Sequence, residues 1–218
     1  MIKIRSSSLQ DVKQNPTAFA QNLLDGTETN RGSRGMLAYW QDVAKELLQK
    51  KLDAFEAVNA LQQRFIRFSD NRKNKQRQEL LLEQLVKFAD QCRKQKFVWE
   101  DGQHRIKWEL YAGVTLTGLT PIVVQNNNEY FCFLMVDQLP DWQNELRFPL
   151  FQQYLADYEL HCDIKELNVG IYQLSSNQFQ FKKYSAKELA DAINETSELF
   201  QQIQTQYTNL KKTTNVLR

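Results

Sequence analysis

Few of these 218 residues are of the kinds that build disulfide, metal or phosphate-loop chemistry. The three cysteines, Cys92, Cys132 and Cys162, are scattered and odd in number, which argues against a disulfide framework and against a four-cysteine metal site. Only two histidines occur. His104 and His161 lack a paired ligand spacing such as H-E-x-x-H, so each reads as an ordinary strand or helix residue. His161 and Cys162 are neighbours on an expected helix end, where adjacent side chains point apart, so no Cys/His catalytic pair is expected. The seven glycines match neither a G-x-G-x-x-G nor a G-K-S/T phosphate loop, and no G-x-S-x-G elbow is present. No apolar run approaches the ~18–20 residues of a membrane-spanning helix, and the amino terminus lacks a signal-peptide core. A cytoplasmic chain with no membrane partner is expected.

Apolar residues make up 42%, with 13 Phe, 8 Tyr and 4 Trp, enough for a sizeable core and too many for a disordered chain. Charge is unevenly spread. Residues 1–110 carry a net of +6 and residues 111–218 a net of −4. The basic excess peaks over 60–97, where Arg64, Arg67, Arg72, Lys73, Lys75, Arg77, Lys87, Arg93, Lys94 and Lys96 face four acids. Such a segment is either a nucleic-acid-facing surface or simply a solvated helix face. The 25 glutamines are dispersed through periodic segments and read as surface composition.

The first third reads as helix. Ser7 and Ser8 cap a turn toward Asn15, and Pro16 opens a short helix ending near Leu24. A Gly-punctuated polar loop over 25–35 follows. Helical spacing over 36–68 fits one long helix or two, with Asp53 a possible cap between them, and places Trp40, Phe55, Phe65 and Phe68 in the core. Ser69 or Asp70 opens another helix, with Leu81, Leu82, Leu85, Val86 and Phe88 inward. The period changes at Phe97. Segments 97–100 and 104–111 flank Asp101-Gly102, a dipeptide favoured in tight hairpins. Segments 114–124 and 130–136 are apolar strands joined by a polar turn, and the second is apolar throughout, hence covered on both faces. A helix over 146–160 precedes a strand pair, 168–174 and 178–184. A capping box at Ser185 and Glu188 then opens a final helix to about Tyr207. This predicts an α/β fold, a central mixed β-sheet flanked by helices. A helical elaboration spans 1–96, the sheet-containing core 97–210, and a frayed polar tail 211–218.

The order helix, three-stranded meander, helix, strand is that of the PD-(D/E)XK nuclease core. Ser6-Ser7-Ser8 leading to Pro16 and Phe19 resembles the amino-terminal signature of RecB-like nucleases in that superfamily, where a Ser-rich start precedes Cys-Pro-x-x-Phe. Gly35-Met36-Leu37-Ala38 resembles its Gly-x-x-His. Residues 116–124 resemble the strand in which a Gly is followed three residues on by a metal-binding Asp. Residues 130–138 sit where the family has its Asp/Glu-x-Lys strand, and 148–158 where it has a helix with Gln and Tyr. The resemblance spans roughly residues 2–174 and implies a divalent-metal phosphodiesterase scaffold.

At its chemical positions the chain departs from that pattern. Asn15 replaces the Cys, which leaves no iron–sulfur centre, and Ala38 replaces the His. Pro121 stands where the metal-binding Asp belongs, and the strand acid and Lys fall on Phe133, Leu134, Met135 and Val136. Without carboxylates a hard cation is not held. The expectation is a pseudonuclease with no cofactor, binding DNA or RNA or a protein partner in DNA processing, defence or a mobile element. The alternatives are an active metal-dependent nuclease with displaced ligands and an assembly or inhibitor protein that binds only protein. Only Glu109, Asp137 and Glu145 could form a displaced site, and Mg²⁺ or Mn²⁺ enters only in that case. Asp137 otherwise reads as a turn residue. Glu145 and Arg147 form a charge clamp before a helix, with Arg147 a possible phosphate contact. Trp142, in a polar loop, is the candidate exposed anchor for a partner.

Overall fold

The computed structural model describes residues 1–26 and 35–216, so most of the 25–35 loop and the last two residues of the expected tail lie outside the described residues. Five helices occupy the first half: α1 (Leu9–Gln14), α2 (Pro16–Leu24), α3 (Met36–Leu48), α4 (Ala54–Phe65) and α5 (Arg72–Lys94). Side-chain caps open α2, α4 and α5, whereas Ser8 before α1, expected as a cap, and Gly35 before α3 make no side-chain capping hydrogen bond. The Asn15 carboxamide oxygen accepts the Ala18 N–H at the start of α2. Asp53 and Glu56 form a reciprocal capping box, so the 36–68 stretch is two helices and not one. Asn71, rather than Ser69 or Asp70, caps α5 by accepting the Asn74 N–H at 2.9 Å, while the Asn74 carboxamide reaches back to Ser69.

Trp40, Val43, Leu61, Phe65, Leu81, Leu85 and Phe88 form the expected core, with Phe68 partly buried against it. Phe55 does not join them and is 75% exposed. At about 100° per residue the inner stripe of α4 passes through Ala57, Leu61 and Phe65, which turns position 55 outward. Val86 misses the α5 stripe of Leu81, Gln84, Leu85, Phe88 and Cys92 for the same reason.

Eight strands follow a mixed α/β plan, divided between two mixed sheets in place of one central sheet. They are β1 (Ile2–Arg5), β2 (Val98–Gly102), β3 (Arg105–Tyr111), β4 (Val114–Leu119), β5 (Ile122–Asn126), β6 (Glu129–Val136), β7 (Leu167–Gln173) and β8 (Gln178–Lys182). The large sheet runs β2-β5-β6-β7-β8, antiparallel except for the parallel pair β6 and β7; the small sheet runs β1-β4-β3, with β1 parallel to β4.

Two expectations fail at the junction between the sheets. Asp101-Gly102 is not a hairpin turn: β2 pairs with β5 and β3 with β4, in different sheets. Gly102 has φ +134°, and a Cβ there would meet the Pro121 carbonyl oxygen at 2.6 Å, so the glycine admits a close backbone approach. The apolar run 114–124 is likewise two strands. It breaks at Thr120-Pro121, because a proline has no N–H to carry the ladder onward. Gly118, at φ +154°, lies where a Cβ would fall 2.5 Å from the buried Ser6 hydroxyl.

Strand β6 is covered on both faces, as its uniform apolarity implied. Phe133 and Met135 pack toward the α3–α5 core, and Cys132 packs toward Trp142, Phe148 and Leu155 on the other side. Each such large apolar side chain contributes roughly 1.5–3 kcal/mol relative to exposure. The small sheet buries Ile4, Ile106, Val114 and Leu116 against Leu150, Phe151, Leu199, Phe200 and Ile203. The connection after β6 is α6 (Arg147–Tyr154), which runs into a π turn (Leu155–Leu160) ended by His161 in the left-handed region.

Trp142 is not exposed. Its loop folds back as a 3-10 turn that leaves the ring 2% accessible, against Phe148, with the indole N–H donating to Gln180. The final helix, α7 (Ala186–Val216), starts at the expected capping box but continues well past Tyr207, so residues 211–216 are helical and not frayed.

Candidate nucleic-acid interface

In the positions where a metal site was sought, the side chains are apolar and packed. Pro121 is buried at the start of β5, Phe133 pairs with Ile122, and α3 docks on the end of β6 through the Gln41 carboxamide, which donates to the Met135 carbonyl at 2.7 Å. The three candidate acids are engaged separately. Asp137, just past β6, accepts from the Arg77 guanidinium of α5 at 2.8 Å. Glu109 accepts the Gly113 N–H in the β3–β4 turn. Glu145 sits 2.6 Å from Arg147 Nε, and that guanidinium also lies over the Phe148 ring. Gln152, on the helix where the resemblance expects a Gln, is fully buried. It clamps Tyr184 by accepting its N–H and donating to its carbonyl. This is an internal brace, with no side chain turned toward a ligand.

The basic residues nominated over 60–97 are mostly neutralised within the fold. Arg64 makes a two-pronged contact with Glu46 at 2.7 and 2.8 Å. Arg67 lies over the Tyr39 ring and donates to its hydroxyl. Lys75 pairs with Asp70, whose carboxylate holds the ammonium above its usual range; Arg77 pairs with Asp137, Lys87 with Glu83 and Arg93 with Asp90. Arg72, Lys73, Lys94 and Lys96 have no ion-pair partner among the described residues and are exposed. They sit at opposite ends of α5, about 33 Å apart at 1.5 Å per residue. The segment is not one groove. Arg147, held by Glu145, is separate again.

A different basic surface is contiguous, and the reading of the sequence missed it. On the small sheet the side chains of Lys3 and Arg5 (β1), Thr115 and Thr117 (β4), and Arg105, Lys107 and Glu109 (β3) share the face opposite the core. The register sets Arg5, Thr117 and Lys107 in one row across the three strands, and Lys3, Thr115 and Glu109 in the next. All four cations are exposed. Lys3, Arg105 and Lys107 have no ion-pair partner among the described residues. Leu119, opposite Arg105, is 53% exposed on the same face. A local signal existed: Ile2-Lys3-Ile4-Arg5 and Arg105-Ile106-Lys107-Trp108 both alternate apolar with basic, the period of a half-buried strand.

Along the outer edge of β3 runs an aromatic group. Trp108 packs against Tyr154 and Tyr158, with ring centroids 5.8 and 6.0 Å apart, and Tyr158 is 54% exposed. The Tyr154 hydroxyl meets the Lys107 backbone and the Glu159 carboxylate, and burial pushes it above the usual phenol range. Glu159 also faces His104 Nδ1 at 3.1 Å, and Asp101 lies 3.0 Å from Nε2. Asp101, His104 and Glu159 thus form the one group of three metal-type side chains within 4.8 Å among the described residues. Both imidazole nitrogens already face carboxylates, so the group ties the β2–β3 connection to the π turn. Burial raises the thiols of Cys92, Cys132 and Cys162, which keeps them protonated and poor nucleophiles.

The chain has a mixed α/β architecture, and no helix among the described residues is long and apolar enough to cross a membrane. No protein-family model matches it, and no curated protein does.

Proposed function

We propose that this chain is a nuclease-like scaffold of the RecB-like PD-(D/E)XK kind that has lost its metal-binding acids and binds nucleic acid without cutting it. One observation carries the reading. Strands β3, β4 to β5, and β6 run antiparallel in succession, α6 crosses over, and β7 returns parallel to β6. In that frame Pro121 occupies the first acid's place, and the apolar end of β6 occupies the second's. The nearest carboxylate, Asp137, faces a guanidinium from α5. An arginine there supplies internally the positive charge a metal would bring.

The test is incubation of the purified chain with Mg²⁺ or Mn²⁺ and single- or double-stranded DNA, read both for cleavage and for gel retardation. Retardation with intact DNA is expected. Metal-dependent cleavage that disappears in Asp137→Asn or Glu109→Gln would overturn the pseudonuclease reading. A displaced-ligand nuclease has one observation in its favour, the Asp101–His104–Glu159 group. It would show cleavage abolished by His104→Ala instead.

A further inference from the structure

We infer that the outer face of the small sheet is the surface that holds nucleic acid, and that it takes a single strand with its phosphates along Lys3, Arg5, Arg105 and Lys107. This rests on the nucleic-acid-binding reading above and names the place and the form of the ligand.

The argument begins with charge. Four exposed cations share one face of three strands with a single acid, Glu109, whose carboxylate is turned to the Gly113 N–H. Elsewhere on the described surface, Arg64, Lys75, Arg77, Lys87 and Arg93 each face a carboxylate of their own. Lys3, Arg105 and Lys107 have none among the described residues. Unlike Arg72, Lys73, Lys94 and Lys96, which are split between the two ends of α5, they stand together on one face, which suits a polyanion.

Spacing comes next. Alternate residues along a strand are about 6.6–6.8 Å apart, and the two outer strands of a three-stranded sheet are about 9.6 Å apart. Lys3 and Arg5 on one side, and Arg105 and Lys107 on the other, therefore make two short rows along which consecutive phosphates of an extended strand can lie. Thr117, half-buried, and Thr115, buried beneath its neighbours, occupy the floor between them, and their small side chains leave the long cations standing above.

The neighbouring apolar groups choose between a single strand and a duplex. Leu119 is half-exposed on the face itself. Tyr158 is half-exposed at the free edge of β3 on the opposite, core side, where Tyr154 at 5.1 Å and Trp108 brace it. A strand lying along Arg105 and Lys107 reaches it by turning its bases round that edge. Unpaired bases offer flat apolar faces to such groups; a duplex keeps its bases stacked inside and offers only phosphate and groove. A purely acidic peptide would use the cations and leave Tyr158 and Leu119 without a role.

The experiment uses the full chain and a fluorescent oligothymidylate, with binding followed by anisotropy across a salt series. In Lys3→Glu/Arg105→Glu/Lys107→Glu, affinity should fall by about tenfold or more. The slope of log K against log salt should flatten by about 2, since each lost contact to a single strand removes about 0.7. The milder Lys3→Ala/Arg105→Ala/Lys107→Ala, checked by thermal unfolding, should show the same direction with an unchanged fold. Tyr158→Ala should weaken oligothymidylate binding by about fivefold and leave any duplex binding unchanged. A control, Lys73→Glu/Lys94→Glu/Lys96→Glu on α5, should change affinity little.

If the wild-type chain binds and only the α5 variant loses affinity, the sheet assignment is wrong while the nucleic-acid reading stands. Tighter binding to duplex than to single strand, or displacement of the oligonucleotide by polyglutamate at equal charge, would sink the choice of ligand. If the wild-type chain binds no nucleic acid at low salt, both readings fall.

Discussion

The two sheets share a strand path, since the chain passes from β4 to β5 at Thr120-Pro121, yet they meet opposite environments. The large sheet is wrapped on both faces: Trp40, Phe88 and Tyr172 crowd one side, and Trp142, Phe148 and Leu155 the other. The small sheet packs one face into the core and carries exposed Lys3, Arg5, Arg105 and Lys107 on the other, where Thr115 at the centre is the buried exception. A sheet closed on both sides can only support the fold. A sheet open on one side has a surface to spend on recognition, and its alternating basic residues cost little because they stay solvated.

That contrast can be broken most sharply by truncation. Phe133→Ala, in the doubly covered sheet, should lower stability by about 3–5 kcal/mol in urea unfolding. Lys107→Ala on the open face should change it by no more than about 0.5 kcal/mol. Equal losses would erase the distinction between the sheets.

The bend that separates them is open to a second test. Gly118→Ala should cost about 1–3 kcal/mol, because alanine is strained at that backbone angle and its methyl meets the Ser6 hydroxyl. Adding Ser6→Ala should restore the steric part and leave the conformational part. Full recovery would mean that the backbone angle is not strained.

Smaller effects sharpen the roles of the covering helices. Asp53→Ala should remove about 1 kcal/mol by opening the cap of α4, which packs on α3 and α5. Glu188 opens α7, the helix over the small sheet. The Ser185 backbone N–H, with Lys182 and the Ser185 hydroxyl, pulls its carboxyl from 4.5 down to about 2. A carboxyl depressed on folding adds stability above its unfolded value, and that gain is lost as pH falls from about 4.5 toward 2. The side chain is 44% exposed, so screening limits the gain to below about 1 kcal/mol. Glu188→Gln should therefore flatten the acid side of a pH–stability curve slightly, measured by denaturant midpoint, and leave the neutral side nearly parallel to wild type.

Much of the helical half was legible from residue pattern, because capping and periodicity are local. Asp53 with Glu56, Ser185 with Glu188, and Pro16 after Asn15 each form the end expected of them. So was the burial of β6, since seven consecutive apolar residues from Tyr130 leave no face for water. Trp142 was misplaced because a polar loop does not reveal that it folds back on Phe148. Gly102 was misplaced because a positive φ serves a hairpin turn and a close strand crossing equally well. Of the candidate site, the basic count over 60–97 was readable, and so were Asp70, Glu83 and Asp90, which cancel part of it, but Asp42, Glu46 and Asp137 arrive from outside that window.

Local chemistry thus settled where many of the helices start and stop and which strand is wholly enclosed. Long-range pairing settled the rest. Strand β1 is four residues long and means nothing until it finds β4 more than a hundred residues away, because a short strand gains its hydrogen bonds only from a partner. Once it does, four cations scattered through the chain become one surface, since a sheet puts side chains two apart on the same face whatever their distance in sequence.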